Sequence, residues 1–247
     1  MTVTDVNVVK SAIFERPDDA NKGTLGSLLC VCGSYGMAGA AVMSAKGALR
    51  TGIGLAKCAL PRSIYPIVAQ TILESVYYPL SENADGRISK VNVPFLVSES
   101  CKSSATLVGC GLGVCDDTLK IVFSLIENST TPLVLDADAL NCVAKQPEIL
   151  LRKKVPIIIT PHPGEMSRLT GLATPLVNAE RERVALDFAQ KYGVVTVLKG
   201  AGTVIASPNG KVLVNPTGNS GMATGGSGDV LAGMTASILA QGASAFS

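Results

Sequence analysis

The chain has 247 residues, 47% of them apolar and 16% charged, a balance that excludes disordered, fibrous and coiled-coil classes and implies a large buried core. Lys and Arg number 21 against 19 Asp and Glu, a formal charge of +2, too even for nucleic acid or a membrane surface to be recognised by bulk charge. With 25 Gly, no Trp and 4% aromatic residues, the composition favours a backbone that approaches a small ligand closely over a protein built on aromatic stacking.

In chain order, Met1 to Phe14 alternates polar and apolar residues and lacks the basic and apolar regions of a secretory signal. From Gly26 onward, short β-branched runs ending in Gly or Asp alternate with Ala-rich stretches, the pattern of βαβ units around a mostly parallel sheet. Strands are expected at Leu28 to Cys32, Ala105 to Val108, Pro132 to Leu135, Pro156 to Thr160 and Val194 to Leu198. Each is nearly continuously apolar, as when helices cover both faces. Helices are expected at Gly39 to Thr51, Asp117 to Glu127, Pro147 to Leu151 and Ala179 to Tyr192, the last with an exposed face rich in Arg and Glu. Leu80 to Lys90 and Ser98 to Ser104 are polar enough for surface loops. Thr203 to Ala206 and Lys211 to Val214 flank Pro208-Asn209-Gly210 and read as a hairpin at a sheet edge. Val230 to Gln241 carries apolar or small residues all round and reads as a buried helix. No apolar run reaches the roughly 20 residues of a membrane span. No repeat or linker divides the chain, which is read as one domain over residues 1–247.

Seven cysteines are an odd number, and Cys30, Cys32, Cys58, Cys110 and Cys142 lie in apolar surroundings. The pattern suits a reducing cytoplasm better than a disulfide framework. With no CxxC pair and His162 as the single histidine, a Cys/His zinc site has almost no ligands.

Ligands of such sheets bind beyond the carboxyl ends of the strands, and five strand ends carry Gly or titratable residues. They are Gly33 to Ala40, Gly109 to Gly113, Asp136 to Asn141, Pro161 to Glu165 and Lys199 to Thr203. The densest signal is Thr217 to Asp229, where Gly218, Gly221, Gly225, Gly226 and Gly228 precede the last helix. Successive glycines let N–H groups face a phosphate, and a helix start adds partial positive charge. Asp229 is an N-cap or a group that orients or deprotonates an attacking hydroxyl, and the glycines beside it favour the second role. His162, between two prolines, suits hydrogen bonding to a polar ligand, and Lys199 suits phosphate contact. Asp136 and Asp138 either help hold a hydrated Mg²⁺ or cap the next helix. GxxxxGK[ST] is absent, and Gly109-Cys110-Gly111-Leu112-Gly113-Val114 lacks the last Gly of a dinucleotide fingerprint.

Taken together, these motifs resemble one family, the ribokinase-like ADP/ATP-dependent NAD(P)H-hydrate dehydratases. The resemblance is carried by Lys22-Gly23, Gly33-Ser34 with Met37 to Ala40, Ala48 to Leu55, Gly109 to Gly113, Leu135 to Asn141, Thr160 to Glu165, Leu198 to Gly200 and Gly221 to Gly233. It implies a three-layer αβα sandwich with a mostly parallel sheet and an edge hairpin. It also implies dehydration of (6S)-NADHX and NADPHX, in which ADP or ATP, with Mg²⁺, phosphorylates the ring hydroxyl and phosphate then leaves. Carried over by position, Ala40, Gly113, His162 and Asp229 contact the hydrate, with Asp229 as general base. Lys199, Gly200, Ala201, Gly202, Thr203 and Gly228 contact the nucleotide, while Mg²⁺ ligands are not assigned. Cys110 stands where proline is common, Ser227 where threonine is usual and Ser220 where proline is frequent. The end at Ser247 precedes a further helical stretch usual in the family, and no epimerase domain is expected. The stand-alone layout leans toward ADP, and family members are often cytoplasmic homotetramers. The competing readings are a small-molecule kinase acting on a thiazole or pyrimidine alcohol, and a non-catalytic nucleotide-binding protein.

Overall fold

The computed structural model describes Thr2, Val3 and residues 17–246. The reading of Met1 to Phe14 otherwise lies outside the described residues. Ten strands form one sheet in the order β1-β10-β9-β8-β7-β6-β5-β2-β3-β4. They are β1 (Thr2–Val3), β2 (Ser27–Val31), β3 (Leu55–Pro61), β4 (Val76–Leu80), β5 (Ala105–Val108), β6 (Leu133–Leu135), β7 (Ile157–Ile159), β8 (Val195–Leu198), β9 (Thr203–Ala206) and β10 (Val212–Asn215). From β4 to β8 all neighbours are parallel, whereas β9 runs antiparallel to both β8 and β10.

The helices are α1 (Ala38–Arg50), α2 (Tyr65–Thr71), α3 (Val93–Cys101), α4 (Asp116–Asn128), α5 (Asp138–Val143), α6 (Pro163–Thr170), α7 (Thr174–Ala179), α8 (Arg181–Tyr192) and α9 (Ser227–Ala240). Alternation along each strand sends side chains to two different cores. Leu29, Val31, Val108, Leu133, Leu135, Ile157 and Ile159 pack with large residues of α4 to α8, among them Leu125, Ile126, Met166 and Phe188. Leu28, Cys30, Leu107, Val134 and Ile158 face the other way, toward Ala40, Ala41, Ala45 and Ala48 of α1 and Ala232 and Ala236 of α9.

Small residues let α1 and α9 touch backbone to backbone. A Cβ added at Gly47 would stand 2.7 Å from the Val230 carbonyl oxygen, and one at Gly233 would overlap the Ser44 carbonyl. Both helices start at the carboxyl-end rim of the sheet, because α1 follows β2 directly and α9 follows β10, whose direction matches that of β8.

The five strands expected from sequence are present within about a residue at each end. Five expectations need correction. The hairpin does not itself end the sheet, since Thr2–Val3 pairs with its outer strand. Strands β3 and β4 were not expected: Lys57, Pro61 and Pro79 interrupt their apolar pattern, and they extend the sheet by pairing, β3 with β2 and β4 with β3. Ser98 to Ser104 is not a surface loop, because α3 runs through Cys101. There the Ser100 hydroxyl lies buried, 2.9 Å from that of Thr106 and 2.7 Å from that of Ser129. Finally, Pro147–Arg152 is a 3₁₀ turn rather than an α-helix, and the helix expected from Ala179 breaks at Glu180, where α7 ends and α8 begins.

Candidate active site at the carboxyl ends of the strands

Strand order reverses between β2 and β5, one leading to β3 and the other to β6. Such a switch point opens a crevice at the strand ends. Its two lips are the loops after β2 and β5, and they are tied together. The Gly33 N–H donates to the Cys110 carbonyl and the Ser34 hydroxyl to the Gly111 carbonyl, both at 2.8 Å. Gly111, at φ +64°, lies against Ala40 so closely that an added Cβ would come within 2.7 Å of the Ala40 Cβ. Gly113 donates its N–H to Asp138 Oδ2 at 2.8 Å. Ala40 and Gly113 thus belong to the two loops that form the lips of the crevice, Ala40 against Gly111 and Gly113 tied to Asp138.

The pair Asp136 and Asp138 divides at Ala137, the single non-glycine residue at positive φ (+49°) among the described residues. Asp138 fastens the Gly113 loop. Asp136, 1% exposed, accepts from the Thr160 hydroxyl at 2.8 Å and forms an ion pair with Lys199 Nζ at 2.7 Å. Neither carboxylate is the residue that caps α5, a place taken by Ala137.

His162 caps α6. Its Nδ1 accepts from the N–H groups of Gly164 at 3.0 Å and Glu165 at 3.3 Å, while Glu165 Oε2 accepts from the His162 N–H at 2.8 Å. Two donors on Nδ1 place a ring proton on Nε2, which lies 3.4 Å from Glu165 Oε1 at the edge of a half-exposed imidazole. Glu165 lies beneath it, its Oε2 3.9 Å from Lys199 Nζ. Burial raises the Glu165 carboxyl above its usual range, and Lys199 together with the His162 N–H pulls it back.

Asp229 faces the same charges from above. It is the third residue of α9, and the cap position belongs to Gly226 at φ +90°. The N-cap alternative for Asp229 is therefore ruled out. The first turn of α9 leaves N–H groups without intrahelical acceptors, directed at the rim. Burial raises the Asp229 carboxyl. A hydrogen bond from the Cys110 thiol opposes that, Asp136 adds to it, and Lys199 opposes it. The result is a carboxylate more basic than an ordinary aspartate.

Lys199 closes the group from β8. Its ammonium is bound to Asp136, and a Cβ added at Gly228 would lie 3.5 Å from it. It therefore sits between the strand ends and the start of α9 rather than in solvent. Gly200, Ala201, Gly202 and Thr203 continue as a turn at the rim, closed by the Thr203 hydroxyl donating to the Gly200 carbonyl at 3.0 Å. All ten residues singled out for ligand contact lie on the five adjacent strand ends or the start of α9.

Three residues were given no role from sequence. Glu165 lay inside a motif whose histidine alone was assigned a contact. Arg87 comes from a loop with no motif, yet it covers Gly113, where an added Cβ would meet its guanidinium, its Cδ at 3.0 Å. Arg181 was counted with the exposed charged face of its helix, whereas it turns inward beneath the Lys199 turn. No local pattern marks either arginine.

One side-chain cluster has the makings of a cation site. Ligand atoms of Cys110, Asp136 and Asp229 lie within 4.8 Å of one another. It fits Mg²⁺ poorly. A hydrogen bond with Cys32 and burial hold the Cys110 thiol well above its ordinary value, so it stays protonated, and Asp136 is already neutralised by Lys199. Mg²⁺ prefers oxygen ligands and usually rides on substrate phosphates.

Comparison with known proteins gives the family and the fold. The chain is similar to the bifunctional NAD(P)H-hydrate repair enzyme Nnr of Moorella thermoacetica, with 39% identity over 94% of this chain and 44% of that one. It spans less than half the length of such bifunctional relatives. The structure of an ADP/ATP-dependent NAD(P)H-hydrate dehydratase from Bacillus subtilis, co-crystallised with ATP and Mg²⁺, superposes with a TM-score of 0.82. Its identity is 31%, over 97% of this chain and 81% of that one. A ribokinase-like superfamily protein from Enterococcus faecalis, 24% identical, shares the fold at a TM-score of 0.84 over 97% of this chain and 80% of its own. With the NAD(P)H-hydrate dehydratase family model matched over residues 28–247, the chain belongs to that family.

Proposed function

We propose that the protein dehydrates the S epimers of NADHX and NADPHX to NADH and NADPH at the expense of ADP or ATP. The observation that carries this reading is the pairing of a basic, half-buried Asp229 with a helix start that offers open N–H groups. Hydroxide is a poor leaving group and phosphate a good one, so a site shaped for phosphoryl transfer serves a dehydration.

In this reading the hydrated ring lies in the crevice against Ala40 and Gly113, with its hydroxyl toward Asp229. His162 donates its Nε2 proton to a polar group of the ring. Asp229 takes the hydroxyl proton as the oxygen attacks the terminal phosphorus, and the shortened nucleotide departs. The N–H groups of Gly228 and of Gly200 to Gly202 receive the phosphates, and Lys199 offsets their charge. Breaking the carbon–oxygen bond then expels phosphate, and loss of a proton from the adjacent ring carbon restores the double bond. Mg²⁺ bound to the nucleotide's phosphates would screen their charge.

The work is placed in the cytoplasm, a reading supported by seven free cysteines. Among the described residues no helix is long and apolar enough to cross a membrane. ADP as the preferred donor and a homotetrameric state complete the proposal.

The test mixes the protein with S-NADHX and Mg²⁺, with ADP and ATP in parallel, and follows the near-ultraviolet absorbance of the dihydronicotinamide. A nucleotide-dependent rise with release of free phosphate supports the reading and names the donor. A stable phosphoester in place of free phosphate would overturn it in favour of a small-molecule kinase.

A further inference from the structure

Arg181 is the first residue of α8, in the charged run Glu180-Arg181-Glu182-Arg183. Glu180 and Arg183 pair with each other at the surface. Arg181 does otherwise. Its Nη2 donates to the carbonyl of Leu198 at 2.8 Å and to that of Gly202 at 3.5 Å, the residues on either side of Lys199 to Ala201. Both ends of the turn therefore hang on one cation. Gly200 passes over it at φ +150°, and an added Cβ would stand 2.9 Å from both Nη1 and Nη2. The Nε atom is buried and has no partner, a cost retained where the guanidinium is needed in this place. On this side the turn otherwise borders an open cleft of about 490 Å³ that Ala201, Gly202, Val204 and Val214 help to line.

The arrangement sets the direction of the turn's peptide groups. In a trans peptide the C=O and N–H point opposite ways. Drawing the Leu198 carbonyl toward Arg181 turns the Lys199 N–H away, and it donates to the Pro161 carbonyl at 2.8 Å. The N–H groups of Gly200, Ala201 and Gly202 have no protein acceptor among the described residues. Such a run of open donors is what a phosphate accepts. A planar guanidinium can hold two carbonyls at once, which a single ammonium does less well.

We propose that Arg181 is a positioning residue for the nucleotide, holding the Lys199–Thr203 turn from behind in the shape whose open N–H groups bind phosphate. This rests on the assignment of that turn to the nucleotide under Proposed function.

The test measures initial rates with ADP or ATP varied at saturating S-NADHX, and the reverse, for the full chain and for Arg181→Met, Arg181→Lys and Gly228→Val. Melting temperatures are recorded alongside. Arg181→Met is expected to raise the nucleotide KM about 10-fold or more while the S-NADHX KM moves less than about 2-fold, with Arg181→Lys in between. If Gly228→Val raises the nucleotide KM and Arg181→Met does not, the proposal fails and the assignment of the nucleotide site stands. If none of the three moves it while dehydration continues, that assignment fails as well. Should Arg181→Met not fold, Arg181→Lys decides alone: a higher nucleotide KM at an unchanged melting temperature supports positioning, and a lower melting temperature with an unchanged KM overturns it.

Discussion

The two faces of the sheet are built to different rules. One is filled by large side chains, with Leu125, Ile126, Leu135, Met166 and Phe188 packed between α4 to α8 and the strands. On the other, α1 and α9 set small residues such as Ala41, Ala45, Ala232 and Ala236 against Leu28, Cys30, Leu107, Val134 and Ile158 of the strands, and the two helices meet backbone to backbone at Gly47 and Gly233. Packing of large residues adjusts by rotamer changes, whereas a contact between backbones has no slack. The small-residue face is the one that fixes the start of α9 over the strand ends, and with it Asp229. The large-residue face supplies buried area, and the site-bearing face supplies position.

The largest effect expected on this division is Asp229→Asn, which keeps shape and removes the base. Its kcat/KM with S-NADHX should fall by about 10²–10⁴-fold, the usual worth of a general base, while the fold survives. Because the native carboxyl is raised, the folded state holds its proton more tightly than the unfolded chain does. Stability from this group is therefore greatest at low pH and declines as pH rises from the ordinary aspartate value to the raised native one. Asparagine lacks that decline, so at neutral pH the variant should melt no lower than the parent. The parent's rate should also show an acid limb above the usual aspartate pKa of about 4. A variant that melts well below the parent would show that the carboxylate holds the fold.

Next comes Gly233→Ala, which leaves every reacting group in place. Its Cβ would meet the Ser44 carbonyl and push α9 off α1. A shift of this kind should cost about 10-fold or more in kcat/KM and on the order of 1–3 kcal/mol in stability. Leu125→Ala, on the opposite face, should reverse the proportion. Loss of about 2–5 kcal/mol in chemical unfolding is expected from the cavity, with kcat changed less than about 2-fold. If the leucine variant lost turnover while the glycine variant kept it, the contrast between the faces would collapse.

How much of this was legible in the chain follows from the range of each interaction. The strands from β5 to β8 are nearly continuous apolar runs with Gly, Pro or Asp close by, so the local pattern marks them. The site glycines and Asp229 stand at strand and helix ends, where local order along the chain already has chemical meaning. Strands β3 and β4 carry Lys57, Pro61 and Pro79, and their extended form depends on pairing across the sheet, β3 with β2 and β4 with β3. The ion pair of Asp136 with Lys199 joins residues 63 positions apart. Arg87 and Arg181 reach the rim from segments whose own pattern says only that they are polar. Local signals thus reveal which residues offer chemistry, and the partners that tune them emerge with the topology.

The smallest effect concerns the end of the sheet farthest from the rim. Ser100, Thr106 and Ser129 bring three hydroxyls together at the start of β5, and all three residues are fully buried. The polar run from Ser98 to Ser104 resembles a loop because those hydroxyls satisfy each other instead of water. Each needs the others, since a buried hydroxyl without a partner costs roughly 1–3 kcal/mol. Ser100→Ala removes the middle member and leaves Thr106 and Ser129 each short of one partner. Unfolding should become easier by an amount in that range, smaller than for Leu125→Ala because only a single oxygen is lost and little space opens. Turnover should not change, because β5 is held along its length by β2 and β6 and its other end carries the Gly109 to Gly113 loop. Replacing all three hydroxyls together, as Ser100→Ala with Thr106→Val and Ser129→Ala, should recover part of the loss, because no donor is then left unpaired. A triple variant that unfolds more easily than the single one would mean that the hydroxyls contribute through packing of their shapes rather than through the bonds among them.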